Sequence, residues 1–299
     1  MKSDPALVMT VIAGTGAEAQ LADCAAAIAD ALALPAAPDW LAAGRACDLA
    51  LQGSDAASAE AAARRAIGDA AIDVLVQPAA GRRKRVFVAD LEATMIENEM
   101  LDELADFIGR RAHVAEITRR AMNGEIDFAT ALADRVALLK GLPAAALDEA
   151  AQRIRLMPGA RTLLATLRAA GVRTALVTGG FTVFAERVAA ELGFDEVVAN
   201  RLDIAAGRIA GTITAPIVER EAKRDTLVAL ARQCEVPLAA TLAVGDGAND
   251  LPMLEAAGLG VAFHAKPAIA AISRWRIDHA DLTALLYAQG YRKSEIIAV

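Results

Sequence analysis

The sequence predicts a doubly wound α/β protein: a mainly parallel sheet with helices on both faces and a helical insertion over one edge, preceded by a smaller α+β unit. Three observations lead there. Residues 86–89 (VFVA) are apolar with no alternation, as in a strand buried on both faces at the centre of a parallel sheet. From there to the C-terminus, short apolar runs alternate with segments of helical period, the pattern of βαβ units. The runs ending at Ala89, Val177 and Val244 are each followed at once by acid, hydroxyl or glycine residues. That is chemistry at the carboxyl edge of the sheet, where open α/β folds bind their ligands.

The 299 residues suffice for two units with cores of their own. Hydrophobic residues make up 56% and aromatic ones only 4%; the excess of alanine suits helices packed closely on a sheet. A net charge of −7 argues against a nucleic-acid partner, since no basic stripe is available to neutralise phosphates. The one basic cluster, Arg82-Arg83-Lys84-Arg85, is too short to alter that and is expected to flank a unit boundary. Cys24, Cys47 and Cys234 form no CxxC pair, so neither a disulfide framework nor a zinc site is indicated, and a cytoplasmic location is expected. No apolar run approaches the length of a membrane span. Ala6 to Ala13 is too short, with Asp4 and Pro5 before it, to read as a leader peptide.

In chain order, residues 6–13 read as a strand, Gly14-Thr15-Gly16 as a turn and 17–33 as a helix. A strand at 46–51, an alanine-rich helix at 56–67 and a strand at 71–77 follow, with an additional strand around 38–45. This fits a small ferredoxin-like module over residues 1–80, without chemistry of its own. Pro78 to Gly81 form the linker. Beyond Asp90 the pattern turns helical: Met100, Leu101, Leu104, Phe107 and Ile108 repeat at helical spacing up to Gly109, and helices fit 113–122, 127–139 and 144–155. This block, about 98–157, is a cap inserted into a core that spans 81–299, placed as lids over active sites commonly are. The core resumes with a helix at 160–170, a strand at 174–178 and a helix at 181–192. A strand and hairpin then occupy 197–218, turning at Ala206-Gly207. A helix at 222–233, a strand at 241–244, a helix at 251–257, a strand at 260–263 and a helix at 281–289 complete it.

Ionised carboxylates at a buried strand end are costly without a cation or a chemical task. Asp90, two residues ahead of Glu92, therefore reads as a nucleophile held against magnesium. Asp246, Asn249 and Asp250 in GDGAND supply hard oxygen ligands suited to that ion rather than to zinc. Glycines after Val177-Thr178 let backbone N–H groups approach an anion, and Lys223 can neutralise a phosphate. Singly, VTGG is what a strand-to-helix turn needs, and GDGAND is open between cap and site. Together with the acid pair they indicate a site. Phe128 and Arg135, seven apart, share a helical face, and the guanidinium there either meets an anion or snorkels along apolar surface. Glu99 reads equally as a first-turn acid favouring the helix dipole. His113, His264 and His279 fall at no ligand spacing.

The combined pattern resembles the haloacid dehalogenase-like phosphatases, and within them the bacterial phosphoserine phosphatases. It lies in Asp90-Leu91-Glu92-Ala93-Thr94, Thr178, Lys223 and Gly245 to Asp250. Narrower matches are Asn98 to Ala105, Phe128 with Arg135 to Gly141, Leu156-Met157-Pro158-Gly159, Gly179-Gly180-Phe181-Thr182 and Asp246 to Met253. The first 80 residues more weakly resemble an ACT-like module. The resemblance implies a Rossmann-like core and Mg2+-dependent hydrolysis of phosphoserine through an aspartyl-phosphate, the last step of serine biosynthesis. It implies that Asp90 is the nucleophile and Glu92 the acid/base. Asp90, Glu92 (through its backbone carbonyl), Asp246 and Asp250 belong to the metal site, and Thr178, Gly179 and Lys223 hold the phosphate. Glu99, Met122, Phe128, Arg135, Gly180 and Asn249 contact the substrate: Glu99 its ammonium, Arg135 its carboxylate, Met122 and Phe128 as apolar walls. A homodimer is left open.

The family has Asp where this chain has Glu92, and usually Ser where it has Ala93. One added methylene moves the carboxyl by about 1.5 Å, and a displacement of about 1 Å can cost a hundredfold in rate. Two other readings therefore stand beside the first: a phosphatase for another small phosphate ester, and a catalytically weakened, amino-acid-sensing homologue.

Overall fold

The computed structural model describes residues 7–51, 55–122 and 125–299. The smaller unit runs β1 (Leu7–Ala13), α1 (Leu21–Ala31), β2 (Asp39–Ala42), β3 (Ala46–Leu51), α2 (Ala56–Ile67) and β4 (Ile72–Pro78). The chain continues with β5 (Val86–Ala89) and four cap helices: α3 (Met100–Asp106), α4 (Arg111–Met122), α5 (Phe128–Leu138) and α6 (Ala145–Ala151). Next come α7 (Ala160–Ala169), β6 (Arg173–Phe181), α8 (Thr182–Leu192), β7 (Glu196–Ala205), β8 (Arg208–Thr214), α9 (Arg220–Gln233) and β9 (Thr241–Gly245). The chain closes with α10 (Leu251–Ala256), β10 (Leu259–Phe263), α11 (Pro267–Ile272), β11 (Trp275–Ile277) and α12 (Ala284–Ala288).

Among the described residues the strands form two sheets. The first, ordered β2-β3-β1-β4 and antiparallel throughout, has the βαββαβ connectivity of the ferredoxin-like plan. The second is ordered β11-β10-β9-β5-β6-β7-β8 and is parallel except for the β7–β8 hairpin. The chain leaves β5 to build β6 and β7 on one side, then returns to build β9, β10 and β11 on the other. This puts β5 at the switch point of the topology, so the crevice opens beyond its carboxyl end. Val86 and Val88 pack with Leu227, Leu230 and Met253 on one face; Phe87 and Ala89 join the larger core with Leu163, Phe184 and Leu285 on the other. An unbroken apolar strand is what such two-sided burial requires.

Two stretches differ from the expectation. The segment carrying α11 and β11 was not anticipated, because six residues of PAIAAI show no polar period and β11 has only three residues, with Arg276 in the middle. Strand β6 runs on through Gly179 and Gly180 to Phe181 instead of turning after Thr178. Its register with β7 breaks between Val177 and Phe181, a bulge that glycines accommodate readily.

The smaller unit lies against the large one through the sheet face its own helices leave free. Met9, Val11 and Ala13 pack under α1 and α2, whereas Ile12, Ala46 and Leu75 belong to the core of the large sheet. Polar anchors fix the contact. The Asp73 carboxylate accepts the backbone N–H groups of Asp278, His279 and Ala280, and the Trp275 indole N–H donates to the Val76 carbonyl at 2.7 Å. From the basic cluster, Arg82 pairs with Asp48 at 2.6 Å and also donates to Thr10 and to the carbonyls of Tyr287 and Ala288. Removing one partner of a largely buried pair strands the other charge. Arg82→Ala should therefore lower unfolding stability by about 3 kcal/mol, read as a reduced denaturation midpoint. Arg83→Ala, which frees the exposed Glu295, should cost less than about 1 kcal/mol.

Candidate active site

Asp90 follows β5, and its N–H extends the ladder by donating to the Val244 carbonyl at 3.0 Å. Asp246 follows β9, and Asp250 precedes the first turn of α10. Oxygens of Asp90, Asp246 and Asp250 all lie within 4.8 Å of one another, and all three residues are buried. Lys223, on α9, reaches the same spot: its ammonium is 2.7 Å from Asp90 Oδ1 and 2.6 Å from Asp250 Oδ1. The other Asp250 oxygen accepts the Gly247 N–H at 3.0 Å, and Asn249 folds back over Gly247. Burial and the neighbouring Asp250 drive the Asp90 carboxyl far above its ordinary range, against the pull of Lys223. Burial lowers the Lys223 ammonium, but Asp250 and Asp90 outweigh it and leave it raised.

Three carboxylates against one ammonium leave negative charge uncompensated. Clustered hard oxygens with that excess fit a magnesium-sized divalent cation and do not fit a soft metal.

Thr178 sits on the bulge of β6. Its hydroxyl accepts the Gly180 N–H at 2.8 Å, so its proton remains to donate to an anion. The two glycines leave room for their neighbours. A Cβ on Gly179 would lie 2.8 Å from the Phe128 ring, and one on Gly180 would lie 2.9 Å from Glu92 Oε2. Phe128 of the cap and Glu92 of the core loop thus meet at these two residues. The turn after Asp90 is tight: Ala93 adopts φ +53°, and the N–H groups of Met95 and Ile96 both donate to the Leu91 carbonyl. Glu92 Oε1 accepts the Met100 N–H at 2.9 Å, which ties the core loop to the first turn of α3. Burial raises the Glu92 carboxyl despite this bond and the nearby Arg135 and Lys223.

In the cap, Arg135 is half-buried on α5. Its Nε donates to the Ala131 carbonyl at 3.0 Å and its Nη1 to the Thr118 hydroxyl at 3.3 Å. Glu92, Glu99 and Asp102 surround the guanidinium electrostatically, yet among the described residues no carboxylate lies within ion-pairing distance of it. Glu99 is open to solvent at the mouth, with protein crowding it from behind. That crowding, with Glu92 and Asp246, pushes its carboxyl up to about 8. Met122 ends α4, and its side chain lies outside the described residues.

Sequence reasoning passed over Thr118, Asp102 and Lys266. Lys266 follows β10 at the same sheet edge and acts on both Glu99 and Asp246. Its place after an apolar run was the available signal.

These features define a doubly wound α/β protein with a buried aspartate cluster at the topological switch point. A model of the haloacid dehalogenase-like hydrolase family matches residues 87–255, over half of the sequence, and the chain belongs to that family. Among its relatives, phosphoserine phosphatase SerB2 of Mycobacterium tuberculosis is 44% identical over 229 residues, which cover 76% of this chain and 56% of that one. The chain therefore spans little more than half of that relative's length. The phosphoserine phosphatase of Idiomarina loihiensis is 44% identical over 212 residues, 71% of this chain and 96% of that one. A solved HAD family hydrolase, t0658 from Salmonella enterica serovar Typhi, superposes with a TM-score of 0.84 at 29% identity, covering 94% of this chain and 97% of that one. A structure described as a phospho-aspartyl intermediate analogue of phosphoserine phosphatase superposes with a TM-score of 0.65 at 35% identity, covering 71% and 100%. No helix among the described residues is long and apolar enough to cross a membrane.

The raised Glu99 carboxyl has a consequence for stability. Between its ordinary 4.5 and about 8, the folded chain retains a proton that the unfolded chain has lost. Stability conferred by that retained proton is therefore lost as pH rises through this window. Glu99→Gln should raise the denaturation midpoint at pH 8 relative to the parent and change it little at pH 4.5. An equal gain at both pH values would contradict the assignment.

Proposed function

We propose that the chain is a Mg2+-dependent phosphomonoesterase that hydrolyses O-phosphoserine to serine and phosphate through an aspartyl-phosphate. The observation that carries the substrate is Arg135. A half-buried guanidinium with no carboxylate counter-ion among the described residues, in the field of Glu92 and Glu99, calls for an anionic group on the ligand. With Glu99 beside it for an ammonium, the cap recognises an amino acid, while Lys223 and Thr178 receive the phosphoryl group. The names of the Mycobacterium and Idiomarina relatives agree, and the phospho-aspartyl description of the solved neighbour supports the covalent step.

In this reading an Asp90 oxygen attacks phosphorus in line while the bond from phosphorus to the seryl oxygen breaks. Glu92 gives its proton to that oxygen, and serine leaves. Glu92 then takes a proton from water; the water oxygen attacks phosphorus, the phosphorus–Asp90 bond breaks, and phosphate is released. The raised Glu92 carboxyl suits a group that must start protonated. Lys223 and the Thr178 hydroxyl hold phosphate oxygens, with Gly179 and Gly180 leaving space for them. Asp90, Asp246 and the backbone carbonyl of Glu92 would hold magnesium, oriented through Asp250 and Asn249, and the ion would offset phosphoryl charge. We also assign residues 1–80 to an ACT-like module and 81–299 to the phosphatase with its cap at about 98–157, acting in the cytoplasm in the last step of serine biosynthesis.

The test is phosphate release from O-phosphoserine and from a panel of unrelated phosphomonoesters, with and without magnesium. Selective, magnesium-dependent release from O-phosphoserine is expected. A preference for another ester would reassign the substrate, and no release from any would favour a non-catalytic sensor. Asp90→Asn should abolish release with an unchanged circular dichroism spectrum. Glu92→Gln should lower kcat by about a hundredfold, the usual share of general acid–base catalysis, and leave KM nearly unchanged.

A further inference from the structure

Thr118 lies on α4, in no motif that the site analysis used. Its hydroxyl donates to the Val114 carbonyl one turn back, at 3.1 Å, leaving its lone pairs to accept Nη1 of Arg135 from the neighbouring helix. With Nε of the same guanidinium given to the Ala131 carbonyl, two of its three nitrogens are held by protein. Two fixed nitrogens set the plane of a rigid fork. Among the described residues nothing else engages the guanidinium, so Nη2 and the second hydrogen of Nη1 remain to bind a carboxylate in bidentate fashion. Three acids act on the same guanidinium from within the protein: Glu92, Glu99 and Asp102. Freed from its anchor, the long arginine side chain would be drawn toward these acids, and an internal ion pair would compete with the substrate carboxylate.

We propose that Thr118 is a positioning residue for amino-acid recognition: it holds Arg135 short of the internal acids and keeps the Nη1–Nη2 edge free for the substrate carboxylate. The role extends the phosphoserine reading and rests on it. It places part of the substrate specificity on α4, a helix that supplies no group to the phosphoryl site.

The experiment compares Thr118→Val, which keeps the shape and removes the acceptor, with Thr118→Ser, which keeps the hydroxyl. For Thr118→Val, KM for O-phosphoserine and the product inhibition constant for L-serine should each rise about tenfold, the low end for losing a hydrogen bond to a charged group. The kcat and the inhibition constant for inorganic phosphate, which lacks the carboxylate, should stay within about twofold of the parent. Thr118→Ser should restore the parental values. Parent turnover is scored first: none with O-phosphoserine overturns the substrate reading. Parent turnover with an unshifted Thr118→Val KM overturns the role of Thr118 alone. An equal rise in the constants for serine and phosphate, or no rescue by serine at position 118, also overturns it, since that is what a merely structural role would give.

Discussion

The buried ammonium of Lys223 is the constraint on which the site depends. Asp90, Asp246 and Asp250 crowd a few ångströms of protein interior at the carboxyl edge of the sheet, an arrangement that mutual repulsion and lost hydration oppose. Lys223 bridges Asp90 and Asp250 from α9, itself only 1% exposed, so all three side chains are held where they are needed. One ammonium does not balance three acids. The remainder is a standing attraction for a cation, and the upward drift of the Asp90 and Asp246 carboxyls is its signature. Structural support and functional incompleteness thus come from the same group.

Topology makes this crowding possible. The chain crosses from one side of β5 to the other through α9, and that helix brings Lys223 under the switch point. The turn after Asp90 is then forced to be tight. Ala93 takes a left-handed conformation that costs an L-residue about 1–2 kcal/mol, and the N–H groups of Thr94, Met95 and Ile96 converging on the Leu91 carbonyl hold it there. The bulge of β6 makes the complementary adjustment beyond Val177, where Gly179 and Gly180 make space for Phe128 and Glu92.

Much of this was legible because it rests on local chemistry. The unbroken VFVA run, the GDGAND turn and the helical spacing of the cap each carry their signal within a few residues. The four cap helices and the strands of both sheets, β11 and the far end of β6 apart, stand close to where the pattern puts them. What escaped depends on partners far away in sequence. Three residues of β11 become a strand because β10 lies alongside and the smaller unit covers Trp275. Arg82 reads as one of a run of surface charges, and only the fold shows it threaded between Asp48 and the carbonyls before α12 ends. Thr118 has no periodic or compositional mark at all; its meaning comes from an arginine on another helix.

The substitution that looked like a defect can be understood the same way. A carboxylate one methylene longer than aspartate would overshoot a fixed leaving group, but Glu92 is not left hanging. One of its oxygens accepts the first N–H of α3, a donor that every helix leaves unsatisfied, and the other lies beside Gly180. The extra length spans the gap between core and cap. Asp90 is held from within the core by Lys223, whereas Glu92 draws one of its partners from α3. Under the mechanism proposed above, the added methylene would let Glu92 serve as acid/base while anchored to the first turn of α3.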